Sequence, residues 1–428
     1  MSITKYYNFA KKELFNLNRS ITGEGTKKTL KLIKKKISNF RIKSFPSGKK
    51  VFDWKIPYEW NVKNAYVIDK FKKKIIDFKK NNLHLVGYSE PISKKINKKN
   101  LFKKLYSLPN KPKAIPYITS YYKKDWGFCI DDQNKKRMDR IYKKNDLFFV
   151  KIDSNFNKKG KLNYGELFLP GKSKKEILIS TYICHPSMAN NELSGPILSM
   201  CLINFLSKRK NNKSYRFIFI PETIGSISYL AKNFNNLKKK VEAGFNLTCV
   251  GDERMYSCIL SKYGNSPSDF ALLKSFKKNK INFKKYPFIL NGSDERQYNS
   301  PNIDLPITSF FKSKFGTYPE YHTSLDNFDI VTEKGIKESF NIIKDALKIL
   351  DNTIFPKSLV FCEPFMSKRG LYPTISKNFT SGITRNIMNF IQYSDGHNTI
   401  KNISKIIGIN ENEGHKIYKI LKKHKILN

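Results

Sequence analysis

Residues 180–196, STYICHPSMANNELSGP, join a predicted buried strand to a predicted helix. The strand is the apolar run EILISTYI at 176–183, and the helix-like run begins at Pro196. Between them, the chain places His185 at the point where the strand stops. In α/β proteins, ligands and metals bind at the edge of the sheet where strands end. This stretch therefore predicts an α/β layer and marks His185 as a candidate site residue.

The chain around this stretch alternates strand-like and helix-like runs between about 150 and 355. The strand-like runs are β-branched and nearly continuous, which is typical of strands buried on both faces. Short connections between the runs favour helices packed on a mostly parallel sheet. The runs, strand then helix in turn, are EILISTYI and ILSMCLINFLSKR, YRFIFIP and IGSISYLAKNF, and KVEAGFNLTCV and ALLKSFKKN.

The regions outside this part have different patterns. Residues 1–40 carry apolar residues at near-helical spacing. Residues 41–150 are rich in β-formers, and KIIDFKKNNLHLVGYSEP predicts a strand, an Asn-Asn turn and a second strand. Residues 356–428 contain three short amphipathic helices, typical of a helix-turn-helix or winged-helix module. The predicted boundaries therefore divide the chain at 40, 150 and 355.

The chain has 428 residues and a formal net charge of +46, from 81 basic and 35 acidic residues. Such an excess favours an anionic partner, for example nucleic acid. Lysine dominates over arginine, however, although guanidinium is the better reader of phosphates and bases. Because lysine, asparagine and isoleucine are abundant throughout, we interpret the total charge mainly as a compositional bias.

The six cysteines are scattered without CxxC spacing. This pattern favours a reducing compartment and argues against a disulfide framework or a structural zinc ribbon. The first residues lack the apolar core of a signal peptide, and no apolar run approaches the ~20 residues of a membrane helix. We therefore expect a cytoplasmic protein without membrane contact.

Polar residues with catalytic potential follow several predicted strands. His185 follows the first, Glu222 follows FIFI in the second, and His322 lies in the later motif YPEYHTSLDNFD. Two neutral imidazoles and one oxygen ligand make a zinc site with an open position. A nearby carboxylate such as Glu222 can accept a proton from water. Because the two histidines are far apart in sequence, spacing leaves open whether they meet.

Other chemistries fit these residues less well. The chain contains no G-x-S-x-G elbow and no Walker or dinucleotide-binding glycine loop after its strands. Cys184 and His185 are adjacent on a strand and would point to opposite faces, which disfavours a thiol nucleophile. A structural histidine that only makes hydrogen bonds is the competing interpretation of His185.

The motifs CHPSMANNELSGP, SDERQY and YPEYHTSLDN resemble those of the co-catalytic zinc exopeptidases, the bacterial leucyl aminopeptidase and glutamate carboxypeptidase type. The whole chain is more similar still to a bacterial group of aminopeptidase-like proteins. The resemblance implies an α/β/α sandwich with a mixed sheet, built from residues 1–40 and 151–355. It also implies a β-rich insert domain at 41–150 and a winged-helix domain at 356–428.

The resemblance assigns roles residue by residue. Metal ligands fall on His185, Asn191 and His322, and the catalytic base falls on Glu222. The polar loop NGSDERQY would bind the substrate. Its candidate substrate-binding residues are Asp294, Glu295 and Arg296.

Three positions depart from the family's ligand pattern. Asn191 stands in place of a bridging aspartate, Thr223 in place of a glutamate ligand, and a second aspartate ligand falls near Thr248. Because two adjacent dications need several carboxylates for charge neutralisation, these departures favour one zinc ion over two. An acidic residue of the SDERQY motif, or Glu222 itself, would then complete the coordination shell.

Two functions follow as alternatives. The first is a zinc-dependent hydrolase of an amide bond, such as an aminopeptidase or deacylase, acting on a peptide-like or other small-molecule substrate. The second is an inactive descendant that senses a small molecule and binds nucleic acid or protein through its winged helix. Proteins of the similar group often accompany genes for surface polysaccharide synthesis, which implies a role there. A homo-oligomer is left open.

Overall fold

The computed structural model describes residues 3–290, 292–371 and 382–428. The N-terminal part is helical, with α1 (Ile3–Phe9), a π-helical turn (Ala10–Leu14) and α2 (Glu24–Lys36). The following β-rich part contains β1 (Arg41–Pro46), β2 (Lys50–Val51), β3 (Trp54–Lys55), β4 (Glu59–Ile68), β5 (Lys74–Asp77), a 3-10 helix (Asn82–His84), β6 (Ile92–Asn97), α3 (Lys98–Phe102), β7 (Leu105–Tyr106), β8 (Phe128–Cys129), α4 (Asp132–Ile141) and β9 (Leu147–Asn157).

The α/β part alternates strands and helices as the sequence predicts. Its strands are β10 (Lys161–Leu169), β11 (Glu176–Tyr182), β12 (Ser214–Ile220), β13 (Val241–Leu247), β14 (Ser257–Ile259), β15 (Lys284–Lys285) and β16 (Ile307–Phe311). Its helices are α5 (Ser194–Leu206), α6 (Ile224–Lys240), α7 (Pro267–Lys278), α8 (Asp294–Tyr298) and α9 (Glu333–Asn352), with a 3-10 helix at Phe288–Leu290. The C-terminal part has a 3-10 helix (Ser367–Arg369), α10 (Gly382–Gln392), α11 (Ile400–Ile406) and α12 (Glu411–Lys423).

One mixed sheet organises the α/β part, in the order β1-β10-β12-β11-β13-β16-β14-β15. Its first strand, β1, comes from the start of the segment that the sequence assigns to the β-rich part. The central strands β12, β11, β13 and β16 run parallel, β1 and β10 pair antiparallel with their neighbours, and β14 pairs antiparallel with β16 but parallel with β15. The parallel strands bring four carboxyl ends to one edge, which is where the candidate residues lie.

The sheet is buried on both faces. Along β11, Ile177 and Ile179 belong to one hydrophobic core and Leu178 to the other, as the period of two requires. The first core includes residues of α1, α5, α7 and α9, and the second includes residues of α6 and of the β-rich part. The β-rich part contains a four-stranded antiparallel sheet, in the order β5-β4-β9-β6, and two two-stranded sheets, β2-β3 and β7-β8.

The glycine of the Ser-Gly-Pro motif lets α5 begin close to the sheet. A Cβ on Gly195 would lie 2.3 Å from the carbonyl oxygen of Leu247 and 2.3 Å from Oγ1 of Thr181. Such distances are far below van der Waals contact, so only glycine fits between α5 and the ends of β11 and β13. This close approach sets the position of the loop that precedes α5.

One local prediction in the β-rich part is wrong. The second strand predicted within KIIDFKKNNLHLVGYSEP is absent, and the 3-10 helix Asn82–His84 occupies its start. The Asn81 side chain accepts a hydrogen bond from the Leu83 amide at 3.0 Å, which caps that helix. Local side-chain capping therefore outweighs the strand propensity of the apolar residues that follow.

The C-terminal helices enclose a separate core, formed by side chains between Val360 and Leu427. Ile387, Phe390, Ile403 and Leu421 are its central members. Across the described part of the chain, every helix is too short or too polar to span a bilayer.

Candidate functional site

The candidate residues lie where the parallel strands of the main sheet end. His185 follows β11, Glu222 follows β12, and Thr248 follows β13 directly. Because these strands are adjacent and parallel, their carboxyl ends share one edge of the sheet. His322 reaches the same place from the loop between β16 and α9.

His185 is held in one orientation by Glu192. One carboxylate oxygen of Glu192 accepts the His185 backbone amide at 2.7 Å, and the other lies 2.7 Å from Nδ1 of the imidazole. Burial disfavours the charged imidazole, but Glu192 outweighs this effect and raises the pKa of His185. With Nδ1 engaged, Nε2 is the nitrogen that faces the site. This carboxylate–histidine pair is typical of zinc-binding histidines.

Cys184, His185 and Glu192 lie close enough together to hold a metal ion. The hydrogen bonds of Glu192 to His185 favour a different arrangement, in which Glu192 orients the histidine. Cys184 lies on the same side of the ring as Glu192, since its sulfur is 3.6 Å from Nδ1 of His185 and accepts the backbone amide of Glu222 at 3.3 Å. We therefore interpret the opposite side of the imidazole, at Nε2, as the metal-facing side.

His322 faces His185 across the site. Their ring centroids lie 5.2 Å apart, and His322 stacks on Tyr321 with centroids 3.8 Å apart. Nε2 of His322 is buried and has no hydrogen-bond partner among the described residues. Burial and the nearby His185 lower the pKa of His322 to about 2, so the ring is neutral and free to donate a lone pair.

Glu222 lies beside His185, with Oε2 3.6 Å from Nε2 of the imidazole. The Ser293 hydroxyl donates to the other oxygen, Oε1. Burial raises the pKa of Glu222, against the opposing effects of His185 and Ser293. The Glu222 side chain is 25% exposed and His185 only 5%, so Glu222 is the more accessible of the two.

The residue after Glu222 adopts a strained backbone conformation. Thr223 has φ 60° and ψ −80°, which is rare for a β-branched residue. Asp294 holds it there, because one carboxylate oxygen accepts the Thr223 amide at 2.7 Å and the Ser226 hydroxyl at 2.8 Å. Burial and nearby Glu222 raise the pKa of Asp294 well above its usual range. The strained turn fixes the direction in which Glu222 projects.

Asn191 belongs to a neutral hydrogen-bond network. Its side-chain amide donates to the Tyr182 hydroxyl at 3.2 Å, and its backbone oxygen accepts the Thr248 hydroxyl at 2.8 Å. The hydroxyls of Tyr182 and Thr248 lie 2.7 Å apart. Oδ1 of Asn191 is buried and has no partner among the described residues.

The three predicted substrate-binding residues occupy different environments. Asp294 and Glu295 are fully buried, and Glu295 accepts hydrogen bonds from Asn246 and Ser309 at 3.3 Å each. Arg296 is exposed on the short helix α8. The structure thus gathers His185, His322, Glu222 and Asn191 at one place, with Asp294 and Glu295 behind them and Arg296 at the surface.

Four residues that shape the site were given no role in the sequence analysis. Tyr117, from the β-rich part, packs edge-on against both histidine rings, with centroids 4.9 and 5.2 Å away. The buried Arg19 donates to the backbone oxygen of His185 at 2.9 Å. Asp326 accepts the amides of Ala189, Asn190 and Asn191 and thereby fixes the loop after His185. The fourth residue is Glu192, described above.

Solved structures share this architecture. A provisionally assigned peptidase from Clostridium acetobutylicum is 36% identical, with a TM-score of 0.79 over 100% of this chain and 96% of the other. The zinc aminopeptidase BSAP from Bacillus subtilis is 14% identical, with a TM-score of 0.58 over 81% of this chain and 94% of the other. A peptidase M28 precursor from Shewanella amazonensis is 9% identical, with a TM-score of 0.54 over 82% and 96%. The predicted fold class is confirmed: a mixed-sheet, aminopeptidase-like α/β fold.

The chain belongs to the family described as a domain of unknown function (DUF4910), whose model matches residues 7–353. A winged helix-turn-helix model matches residues 355–428, which confirms the predicted C-terminal winged helix. A Clostridium acetobutylicum protein is 39% identical over 398 residues, 92% of this chain and 89% of the relative. Its name provisionally assigns that protein to polysaccharide biosynthesis and gives it an aminopeptidase-like domain.

Proposed function

We propose that this protein is a metal-dependent hydrolase of an amide or peptide bond, with one zinc ion held by His185 and His322. The observation that carries this proposal is the facing histidine pair, with ring centroids 5.2 Å apart beside Glu222. Two imidazoles that share a tetrahedral zinc through Nε2, at ~2.1 Å each, hold their centroids roughly 5 Å apart. Nε2 of His322 has no hydrogen-bond partner among the described residues, which fits the role of a zinc ligand.

The charge of the surrounding side chains also fits a bound cation. Four acidic side chains, Glu192, Glu222, Asp294 and Glu295, surround this edge of the sheet, and three of them have raised pKa values. A bound dication would offset this excess of buried acid. Asn191 is the third proposed ligand, because Oδ1 is buried and unpartnered.

A single ion is supported by the network of Tyr182, Asn191 and Thr248. In the zinc exopeptidase pattern, Asn191 and Thr248 fall on or near carboxylate ligands. Here both side chains are neutral and are hydrogen-bonded to one another through Tyr182 and the backbone. Neutral oxygens do not balance the charge of two adjacent dications, so this network favours one ion.

Each residue of the site would have a separate role in the proposed reaction. Zinc bound here would supply a Lewis acid that polarises a carbonyl and acidifies water. Glu222 accepts the proton of water at Oε2, because Ser293 already occupies Oε1. Asp294 keeps the strained Thr223 turn in place and so aims Glu222. Glu192 keeps Nε2 of His185 directed at the site.

Substrate binding by Asp294, Glu295 and Arg296 stays a prediction. The full burial of Asp294 and Glu295 supports a positioning role for these two. We propose that the exposed Arg296 is the member that meets a charged end of the substrate. We also propose, on the name of the C. acetobutylicum relative, that the substrate belongs to surface polysaccharide synthesis. The scattered spacing of the six cysteines, without a CxxC pair, supports a cytoplasmic location.

The test is metal content by elemental mass spectrometry, on the purified protein beside His185→Ala and His322→Ala. We expect about one zinc per chain in the wild type and strong loss in both variants, since each removes one of two imidazole ligands. His424→Ala, in the C-terminal part, is the matched control and should keep its zinc. A wild type that stays metal-free after zinc addition would contradict the proposal.

A second candidate is an inactive regulator, favoured by the neutral residues at three ligand positions and by the winged helix. In that case the α/β part binds a small molecule and the winged helix binds nucleic acid. A metal-free protein with salt-dependent affinity for duplex DNA would support this alternative, since phosphate contacts release counterions.

A further inference from the structure

A cleft lies between the α/β part and the C-terminal helical module. It consists of two adjoining cavities of about 300 Å³ and 1180 Å³. These volumes bracket the ~300–1,000 Å³ of typical small-ligand sites. Residues that line both cavities come from the start of β11, the end of α6, the start of β13, the connection after α9 and the segment after α12. They are Lys175, Lys238, Lys239, Glu242, Phe355, Lys357 and Asn428.

Three of the lysines in this cleft lack a carboxylate partner. No ion pair involves Lys175, Lys239 or Lys357 in the described ranges, although many other lysines of the chain are paired. The ammonium of Lys175 instead donates to the backbone oxygen of Lys239 at 3.3 Å. The cleft therefore concentrates positive charge that the protein does not neutralise.

The carboxylates that line the cleft are already engaged. Glu242 pairs with Lys213, and Asp304 lies 3.8 Å from Lys238 and 3.1 Å from Lys262. The others accept backbone amides: Asp351 from Asn212 and Lys213, and Asp395 from His397 and Asn398. None of these side-chain carboxylates is paired with Lys175, Lys239 or Lys357, so the lysines that line both cavities keep a positive charge that no side-chain carboxylate of the lining neutralises.

The crowding of these lysines is itself unfavourable. Burial lowers the pKa of Lys175, Glu242 opposes this effect, and the nearby charges of Lys357, Lys213 and Lys239 add to the lowering. Like charges held together in a partly enclosed cleft repel one another, and a bound anion would remove that repulsion. The folded chain thus maintains an unfavourable cluster at the place where its two parts meet.

We propose that this cleft binds a small phosphate-bearing anion, such as a diphosphate or a nucleotide, which joins the α/β part to the winged-helix module. Lysine ammonium groups bind phosphate as point charges. Cavities of this size admit a small anion, whereas a nucleic-acid duplex is too wide to enter them. Because the ligand contacts both parts of the chain, its binding fixes the module on the body.

The test is isothermal titration calorimetry of the full chain with inorganic diphosphate at about 0.15 M salt. The cleft variant is Lys175→Gln with Lys357→Gln. The charge-matched control is Lys94→Gln with Lys95→Gln, two exposed lysines on β6 without ion pairs in the described ranges. We expect the cleft variant to bind roughly tenfold or more weakly, because two charge-assisted hydrogen bonds are lost, and the control to bind like the wild type.

Four results would overturn the proposal. Absence of a binding heat in the wild type would show that the cleft takes no diphosphate. Equal weakening in the cleft and control variants would show diffuse attraction to a basic chain. Normal binding by the cleft variant, together with lost binding by His185→Ala, would place the diphosphate at the histidine site. Duplex DNA that binds wild type more tightly than the cleft variant, without any diphosphate binding, would assign these lysines to nucleic acid.

Discussion

At the scale of single residues, Glu222 is the side chain on which the proposed chemistry depends. Glu222→Gln keeps the volume and the Ser293 contact but removes the proton acceptor at Oε2. We expect turnover to fall by about 10²–10⁴-fold, the usual worth of a general base. The measurement is the hydrolysis rate on a panel of amino-acyl amides and N-acylated sugars, with zinc content determined in parallel.

The matched control for Glu222→Gln is Glu24→Gln, which makes the same chemical change at a surface carboxylate of α2. It should leave turnover unchanged. If Glu222→Gln turned over as fast as the wild type, Glu222 would have no part in proton transfer. If it lost zinc as well as activity, Glu222 would be a ligand and another group would have to act as the base.

Glu192 is predicted to act through His185. Glu192→Gln leaves only one acceptor oxygen where the wild type uses two, for the His185 amide and for Nδ1. We expect the apparent zinc affinity to fall by about 10–100-fold, the usual effect of losing such an outer carboxylate. Competition with a chromogenic chelator measures this affinity. Glu192→Asp should recover part of the loss, and identical affinities in all three proteins would remove Glu192 from this role.

His185, Glu222 and His322 were predictable because each follows or neighbours a strand that the apolar pattern of the sequence indicates. Tyr117 and Arg19 were not predictable. Each of these contacts the histidines only after the β-rich part or the N-terminal helices have docked on the sheet. Nothing in the local sequence of either residue encodes that contact.

At the scale of elements, the main sheet is tied together by a buried ion-pair network. Glu166 on β10 accepts from Arg216 of β12 at 2.6 Å and from the Tyr229 hydroxyl of α6 at 2.7 Å, and it also pairs with Lys43 of β1. Arg216 reaches Glu176 of β11 at 2.6 Å. The network thus links four neighbouring strands and one helix.

Glu166→Gln should destabilise the fold by about 3 kcal/mol at neutral pH, because it leaves a buried arginine with one lost partner. Burial alone would raise the pKa of Glu166, but Lys43, Tyr229 and Arg216 outweigh it and lower the pKa below 4.5. The network's contribution is therefore complete above pH ~4.5 and is lost as pH falls through the lowered pKa. Urea unfolding at a series of pH values measures both effects.

In that series, the stability difference between wild type and Glu166→Gln should shrink below pH ~4.5. Glu13→Gln, which removes a surface pair with Lys36, should change stability by less than ~1 kcal/mol at any pH. A difference between wild type and Glu166→Gln that stays constant down to acid pH would contradict a charged Glu166 in the folded state.

The strands and helices of the α/β part were predictable because their apolar runs are long and separated by clear polar loops. The segment after Asn81 was not, because a single side-chain cap redirects its backbone. The hydrogen-bond partners of the residues that depart from the family's ligand pattern also required the structure. Thr248 and Asn191 read as lost carboxylates, whereas the fold shows them joined in a network with Tyr182.

At the scale of the whole molecule, the net charge of +46 bears on the binding of anions, and the separate C-terminal core bears on how the chain unfolds. The total charge is spread over lysines on every part of the chain and was predicted to be mainly compositional. In the cleft, the location of the lysines matters more than the net charge of the chain, because three lysines there have no carboxylate partner in the described ranges. Sequence could not reveal this cluster, because its members come from three separate elements.

The C-terminal core predicts that the chain unfolds in more than one step. Phe390 is fully buried within that core, and no residue before Val360 belongs to it in the described ranges. Phe390→Ala should cost the module about 3–5 kcal/mol and lower its own calorimetric transition. The transition of the α/β part and its zinc content should stay unchanged, because the histidine site lies in the α/β part and not in the C-terminal module. Scanning calorimetry on the full chain measures both transitions.

The matched variant is Phe245→Ala, a fully buried change on β13 in the core of the α/β part. It should lower the other transition and reduce zinc content, leaving the winged helix folded. A single transition that moves equally in both variants would show one cooperative unit, and the predicted boundary near residue 355 would then be wrong. If the two transitions are independent, a ligand in the lysine cleft, which contacts both parts of the chain, should reduce the difference between the midpoint temperatures of the two transitions.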